Sequence, residues 1–183
     1  MRSGRAGKLL ADYHDLEYGS PQRDENVLFE RLTLETFQAG LSWEIVLKKR
    51  TGLAEAFKGY QADCVAAFTP ADVDEIVSNP HVIRNRRKVE AAIYNAQQVI
   101  LLREEFGGFA EWLDHESLNS QGEWLPAFKK RFKFMGGEVV GEFLISLGLI
   151  PGAHDPDCTT GLQPHMGSWD QFRTSAGKKR SHK

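Results

Sequence analysis

Apolar positions along this chain recur mostly at intervals of three and four, the spacing of one face of a helix. From Val27 to Phe37 they fall at 27, 28, 29, 32, 34 and 37, which predicts a helix that Gly40 ends or turns. Ser42 stands where an N-cap belongs for a second helix through WEIVLKKR, and Gly52 is expected to begin the next turn. Thr69-Pro70 followed by Asp72 is a strong start signal, because threonine caps, proline suits the first helical position and a carboxylate suits the first turn. That helix, ADVDEIV, should stop before Asn79-Pro80. A long helix follows from about Asn85 to Glu105, ended by Gly107-Gly108, and then a short one over FAEWLDH. LNSQG at 118–122 reads as a loop, with helix resuming from Trp124 to Lys130. Gly136-Gly137 turn the chain into an apolar helix, VVGEFLISLG, that ends at Gly148. Beyond Pro151 no period is visible, and no strand pair or repeat stands out. The expected fold class is all-α, as one domain over residues 1–173 with a polar, basic and disordered tail over 174–183.

A chain of 183 residues with 41% apolar and 26% charged positions can build one real core. No apolar run is long enough to span a bilayer, and MRSGRAGKLLADYHD lacks the apolar centre of a signal peptide. The expectation is a cytoplasmic protein without a membrane partner. Two cysteines exclude a disulfide framework, and Cys64, within CVAAF, is expected in the core. The formal net charge of -2 does not suggest nucleic acid, but the basic residues cluster at 48–50, 84–88, 129–133 and 178–183. Lysine and arginine favour the last turn of a helix anyway, so charge alone favours solvated helix ends over a basic face.

Four groups of residues could carry chemistry. Glu35 and Gln38 lie three apart and share a helix face near Trp43. A carboxylate, an amide and an indole can read a purine, although an ordinary surface pair beside a core tryptophan has the same pattern. Tyr13 and Tyr18 flank His14 and could line an aromatic slot, or simply pack. His154 and Cys158 are four apart, a spacing suited to one metal ion, with His14 a possible third ligand if the chain ends meet. His165, Asp155 and Asp157 are less specific candidates. Last, FKFMGGEVVGEFLI places a glycine pair between two helices, where backbone N–H groups can hold a phosphate.

Taken in order, YHDLEYGSP (13–21), LFERLTLETFQAGLSWEIVLKKR (28–50), IVSNPHVIRNRRKVEAAIYNA (76–96) and FKFMGG with its following helix (132–148) resemble the bacterial 3-methyladenine DNA glycosylase I family. The resemblance covers most of residues 10 to 158. It implies a helix-hairpin-helix DNA glycosylase-like domain, monomeric, that flips alkylated adenine out of double-stranded DNA and hydrolyses its N-glycosidic bond. A DNA-lesion binding protein of the same fold without catalysis is the alternative. By the same resemblance Glu35 is the catalytic residue, a carboxylate at the edge of the base that favours its cationic form, with Tyr13, Tyr18, Gln38 and Trp43 around it. Gly40 and Leu41 would form the wedge that fills the gap in the duplex. Arg84, Arg86, Arg87, Lys88, Lys133, Gly136 and Gly137 would hold the DNA backbone.

His154 and Cys158 fall where the family has its last two zinc ligands, and with His14 they would make a structural zinc site. The family usually opens with a cysteine and a tryptophan that MRSGRAG does not supply, so an incomplete zinc site and a pocket more open on one side are expected. Tyr18 stands for a usual tryptophan, and Gly137 and Glu138 stand where threonines are common.

Overall fold

The computed structural model describes residues 5–154 together with Cys158 and Trp169. The expected basic tail from 174 lies outside the described residues. Among those described there is no strand, and the helices are α1 Arg5–Leu16, α2 Glu25–Gln38, α3 Trp43–Ala56, α4 Ala62–Ala66, α5 Pro70–Ser78, α6 Arg86–Phe106, α7 Phe109–Glu116, α8 Gln121–Arg131 and α9 Gly137–Ser146. A 3-10 turn over Lys58–Tyr60 links α3 to α4. The all-α expectation holds.

Helix α2 is the axis of the fold. It packs against α3, α6, α7 and α9, and Leu28, Phe29 and every residue from Arg31 to Phe37 are buried. The helix is therefore covered on nearly all sides rather than on one stripe. Beyond its far end α7, α8 and α9 enclose an aromatic cluster. Trp112 meets Trp124 and Phe128 edge-on at ring separations of 6.1 and 5.1 Å, and Phe109 stacks on Phe143 at 5.9 Å. Cutting Trp112 back to alanine would cost about 3–5 kcal/mol.

Helix ends follow local chemistry. Thr69 and Asp72 form a reciprocal capping box at the start of α5, and Asn85 accepts from the Lys88 N–H at the start of α6. Gly107 ends α6 with φ +96°, in the left-handed region. A second capping box, Ser120 with Glu123, starts α8 at Gln121, three residues before the expected Trp124. Ser42 occupies the N-cap of α3, but its side chain makes no capping bond, and its carbonyl takes the Ile45 N–H at 3.1 Å instead.

Two expectations need correction. Gly52 does not begin a turn; it lies inside α3, and a Cβ there would sit 2.3 Å from the His81 carbonyl oxygen. The glycine lets α3 touch the turn that leads into α6. Cys64 is exposed, not in the core, because α4 is a short helix that buries Ala62 and Val65 and turns the thiol outward. Helices α1 and α4 were not expected, and α1 proves to carry part of the site.

Candidate functional site

The buried middle of α2 carries an acid and a base. Glu35 is 1% exposed, and neither carboxyl oxygen has a hydrogen-bond partner in the protein. Burial pushes its pKa well above the ordinary value, the charge of Glu142 adds to the rise, and Arg31 opposes it. Arg31 is itself buried and does not bond to Glu35. Its guanidinium donates to the Ser146 carbonyl at the end of α9 and to the Glu17 carbonyl at 3.0 Å. The Gly19 N–H also donates to Ser146 O, at 2.8 Å, so the turn after α1 is held against α9.

That turn sets the aromatic wall. Tyr13, on α1, stacks on Trp43 at a ring separation of 5.1 Å and a tilt of 30°. Tyr18 leans on Tyr13 at 5.8 Å. The first pair is in direct ring contact, so no base fits between Tyr13 and Trp43; together they make one continuous wall. Burial raises the pKa of both tyrosines, and the Glu35 charge adds to the rise in each. The Tyr18 hydroxyl donates to the Glu142 carboxylate at 2.8 Å. Glu142 was missed in the sequence, although it is an acid set inside the apolar run VVGEFLIS. Arg31 was missed for a similar reason.

The segment between α2 and α3 forms a tight loop. Gly40 is exposed with φ +83°, which a side chain would strain, and Leu41 is half-buried. The Leu41 N–H donates to Gln38 O at 2.7 Å, and the Gln38 amide nitrogen donates back to Leu41 O at 2.9 Å. Gln38 was expected to line the base site, and its amide N–H group braces this loop.

The basic residues divide. Arg84, Arg86 and Arg87 are exposed around the start of α6, with Arg86 paired to Asp74. Lys88 was expected to meet DNA and does not reach the surface. It is 6% exposed, and its ammonium donates to Phe37 O at 2.9 Å and Ala39 O at 2.6 Å. It thus satisfies carbonyls that the last turn of α2 leaves open. The block at 48–50 is also spent within the fold: Lys48 pairs with Glu44, Lys49 bonds Pro80 O, and Arg50 bridges Glu17 and Glu30.

Lys133 is exposed over the Tyr94 ring at 4.3 Å, and its backbone exchanges hydrogen bonds of 2.8 and 3.3 Å with the buried Asn95 amide. Asn95 therefore fixes the α8–α9 turn to α6. Gly136 caps α9 and is exposed, and Gly137 begins the helix half-buried, with Glu138 exposed in its first turn.

His14, His154 and Cys158 do meet. Their ligand atoms lie within 4.8 Å of one another, with His14 Nε2 3.2 Å from His154 Nδ1, and Cys158 Sγ 3.9 and 3.8 Å from the two. The opposite ring nitrogens are occupied, His154 Nε2 by Tyr18 O at 2.9 Å and His14 Nδ1 by Asp15 at 2.8 Å. Each opposite nitrogen must donate to its acceptor, which leaves two lone pairs facing each other. Such a pair repels unless a cation or a proton lies between. Tetrahedral zinc with bonds of about 2.0–2.3 Å spaces its ligand atoms roughly 3.3–3.8 Å apart, so the donor set fits. Asp155, Asp157 and His165 lie outside the described residues.

An acid with open hydrogen-bonding capacity, walled by aromatic rings and followed by a protruding glycine loop, is the equipment of a helical base-binding protein. A surface cleft lined by Glu55, Lys58, Phe68, Asp72 and Glu75 contains none of these groups.

Comparison with known proteins gives the family. The methyladenine glycosylase profile matches residues 4–124, and the chain belongs to that family. The DNA-3-methyladenine glycosylase of Haemophilus influenzae is 34% identical over 169 residues, covering 82% of this chain and 91% of the relative. DNA-3-methyladenine glycosylase 1 of Escherichia coli is 34% identical over 161 residues, covering 78% and 86%. The solved structure of 3-methyladenine DNA glycosylase I from Staphylococcus aureus, described as showing the basis of 3-methyladenine recognition, superposes with a TM-score of 0.77 at 30% identity, covering 85% of this chain and 92% of its own. A related structure in complex with 3-methyladenine gives 0.77 at 29% identity, covering 85% and 93%.

Proposed function

We propose that this protein removes 3-methyladenine from double-stranded DNA by hydrolysing the N-glycosidic bond, as a monomer in the cytoplasm. The observation that carries the reading is the Glu35 carboxyl, buried at the foot of an aromatic wall with both oxygens unmatched. A buried polar group without a partner costs about 1–3 kcal/mol, and a ligand that supplies N–H donors recovers it. Adenine methylated at N3 carries positive charge in its ring while still bound to the sugar, which weakens the glycosidic bond. As the bond breaks, its electron pair passes to the base, which leaves as neutral 3-methyladenine, and the positive charge moves to the sugar carbon that water attacks. Glu35 favours the cationic base on entry and holds its edge through that step. Family membership supports the same substrate.

Extrusion of the base leaves a gap in the duplex. Leu41, presented by the Gly40 turn, would fill it. The exposed Arg84, Arg86 and Arg87 and the α8–α9 turn with Lys133, Gly136 and Gly137 would hold phosphates as a helix-hairpin-helix element. His14, His154 and Cys158 would hold a structural zinc ion, closing the chain end over the Tyr18 turn. Zinc would supply cross-linking there and no chemistry.

The test is release of base from methylated duplex DNA, with the product identified. Wild-type protein should free 3-methyladenine, and Glu35→Gln should release it at least tenfold more slowly, about 1.4 kcal/mol in the barrier. Tight binding of an abasic duplex without base release would instead make the protein a lesion binder.

A further inference from the structure

We infer that Glu142 is a second acidic group of the base pocket, acting through Tyr18 to favour a cationic base over a neutral one. The inference rests on the function proposed above and assigns its charge selectivity. Glu142 projects from α9 between the buried Gly141 and Phe143 and is half-buried. A half-buried carboxylate between buried apolar neighbours is costly unless something uses it. Its hydrogen bond comes from the Tyr18 hydroxyl, at 2.8 Å, and Tyr18 also leans on Tyr13 in the wall. A phenol that donates to a carboxylate gains electron density, so its ring face attracts a cation more strongly.

Charge balance gives the second half of the case. The charges that act on Glu35 are Glu142 on α9 and Arg31 on its own helix. Tyr13 and Tyr18, from α1 and the turn after it, both feel the Glu35 charge, and burial keeps them neutral phenols. Glu17, Glu30 and Arg50 neighbour Arg31 or Tyr13 but not Glu35. Arg31 and Arg50 are matched by the two nearby carboxylates, Glu17 and Glu30. Burial and the Glu142 charge favour the protonated form of Glu35. Glu142 is then the negative charge left beside the tyrosine wall, and a cationic base that enters finds it there. Without Glu142 that partner for the cation is lost. Glu142 is therefore the group that makes the pocket call for positive charge.

Glu142→Gln separates this role from a structural one, because the amide oxygen can still accept from Tyr18 at the same shape. The probes are two free ligands read by tryptophan fluorescence: 3,9-dimethyladeninium, a fixed cation, and 9-methyladenine, its neutral counterpart. The variant should bind the cation about tenfold more weakly, about 1.4 kcal/mol, and the neutral base within about twofold of wild type. Single-turnover release of 3-methyladenine should fall by a similar factor while affinity for an abasic duplex stays the same. Equal losses on both ligands, or an unchanged ratio, would overturn the role of Glu142 even though wild-type protein excises the base. Wild-type protein that releases no 3-methyladenine would defeat the function itself and this inference with it.

Discussion

Replacing Lys88 by methionine should weaken the fold and slow base release without changing how the protein meets phosphate. The substitution keeps an unbranched apolar stem of similar length and removes only the ammonium. Two hydrogen bonds disappear, to Phe37 O at 2.9 Å and Ala39 O at 2.6 Å, on a side chain that is 6% exposed. Bonds from a charged donor contribute about 1.5–3 kcal/mol each. The loss is offset because methionine carries no buried charge, and burial already lowers the Lys88 pKa. A net destabilisation of about 1–3 kcal/mol follows, or a fall of about 5 °C in Tm for a chain of this size. Freed carbonyls at the end of α2 would also loosen the Gly40–Leu41 loop, so release of 3-methyladenine should slow by about tenfold. The decisive readout is salt. Each phosphate contact contributes about 0.9 to the slope of log affinity against log salt concentration. On an abasic duplex Lys88→Met should keep the wild-type slope, whereas Arg87→Ala, which removes an exposed cation, should reduce it by about 0.9. A variant that melts like wild type and loses about 0.9 of slope would refute the internal role, and Lys88 would be a phosphate contact after all.

Three further outcomes are expected. Because the folded-state pKa of Glu35 lies above its ordinary 4.5, the folded protein keeps a proton that the unfolded chain releases, so its contribution to stability falls as pH rises from 4.5 towards the raised value. Glu35→Gln lacks this penalty, and thermal melts should show its advantage over wild type growing with pH across that window; a constant difference would mean that Glu35 is not forced to stay protonated. Glu138→Gln, in the exposed first turn of α9, should tighten abasic-duplex binding by about two- to fivefold at low salt and less at high salt, measured by fluorescence anisotropy. Purified protein should contain one zinc ion per chain by elemental analysis, Cys158→Ser should reduce that content, and a chelator should lower Tm; metal-free protein of wild-type stability would show that His14, His154 and Cys158 hold no metal.

How far the sequence could be read depended on whether a residue's role was local. Thr69, Asp72, Asn85 and Gly107 act on backbone within a few positions, and their helix ends were legible. Ser120 with Glu123 carries the same signal and was passed over because LNSQG has loop composition. The meeting of His14 with His154 and Cys158 was legible only as a possibility, since it depends on the turn after α1 docking on the end of α9. Lys88 was misjudged for the same reason. In RNRRK it looks like its neighbours, and only its direction from the first turn of α6, towards the end of α2, separates it from Arg84, Arg86 and Arg87.

The least legible element was the one that matters most. Apolar spacing along α2 suggested one buried face, with Glu35 towards the interior or at its edge, and it left Arg31 and Thr33 unassigned. A helix buried all round has no other face, so periodicity says nothing about where its polar residues point. The structure buries all three, and the buried atoms left without partners include Arg31 Nε, Thr33 Oγ1 and both oxygens of Glu35. Folding alone does not reward that arrangement, since each such group costs about 1–3 kcal/mol. Helix α2 can carry it because its neighbours are dense: Leu28, Phe29, Leu32, Leu34 and Phe37 are almost wholly buried between the same polar positions. The apolar residues hold the helix in place, and the unmatched polar ones keep an acid ready for a base that the protein itself does not contain.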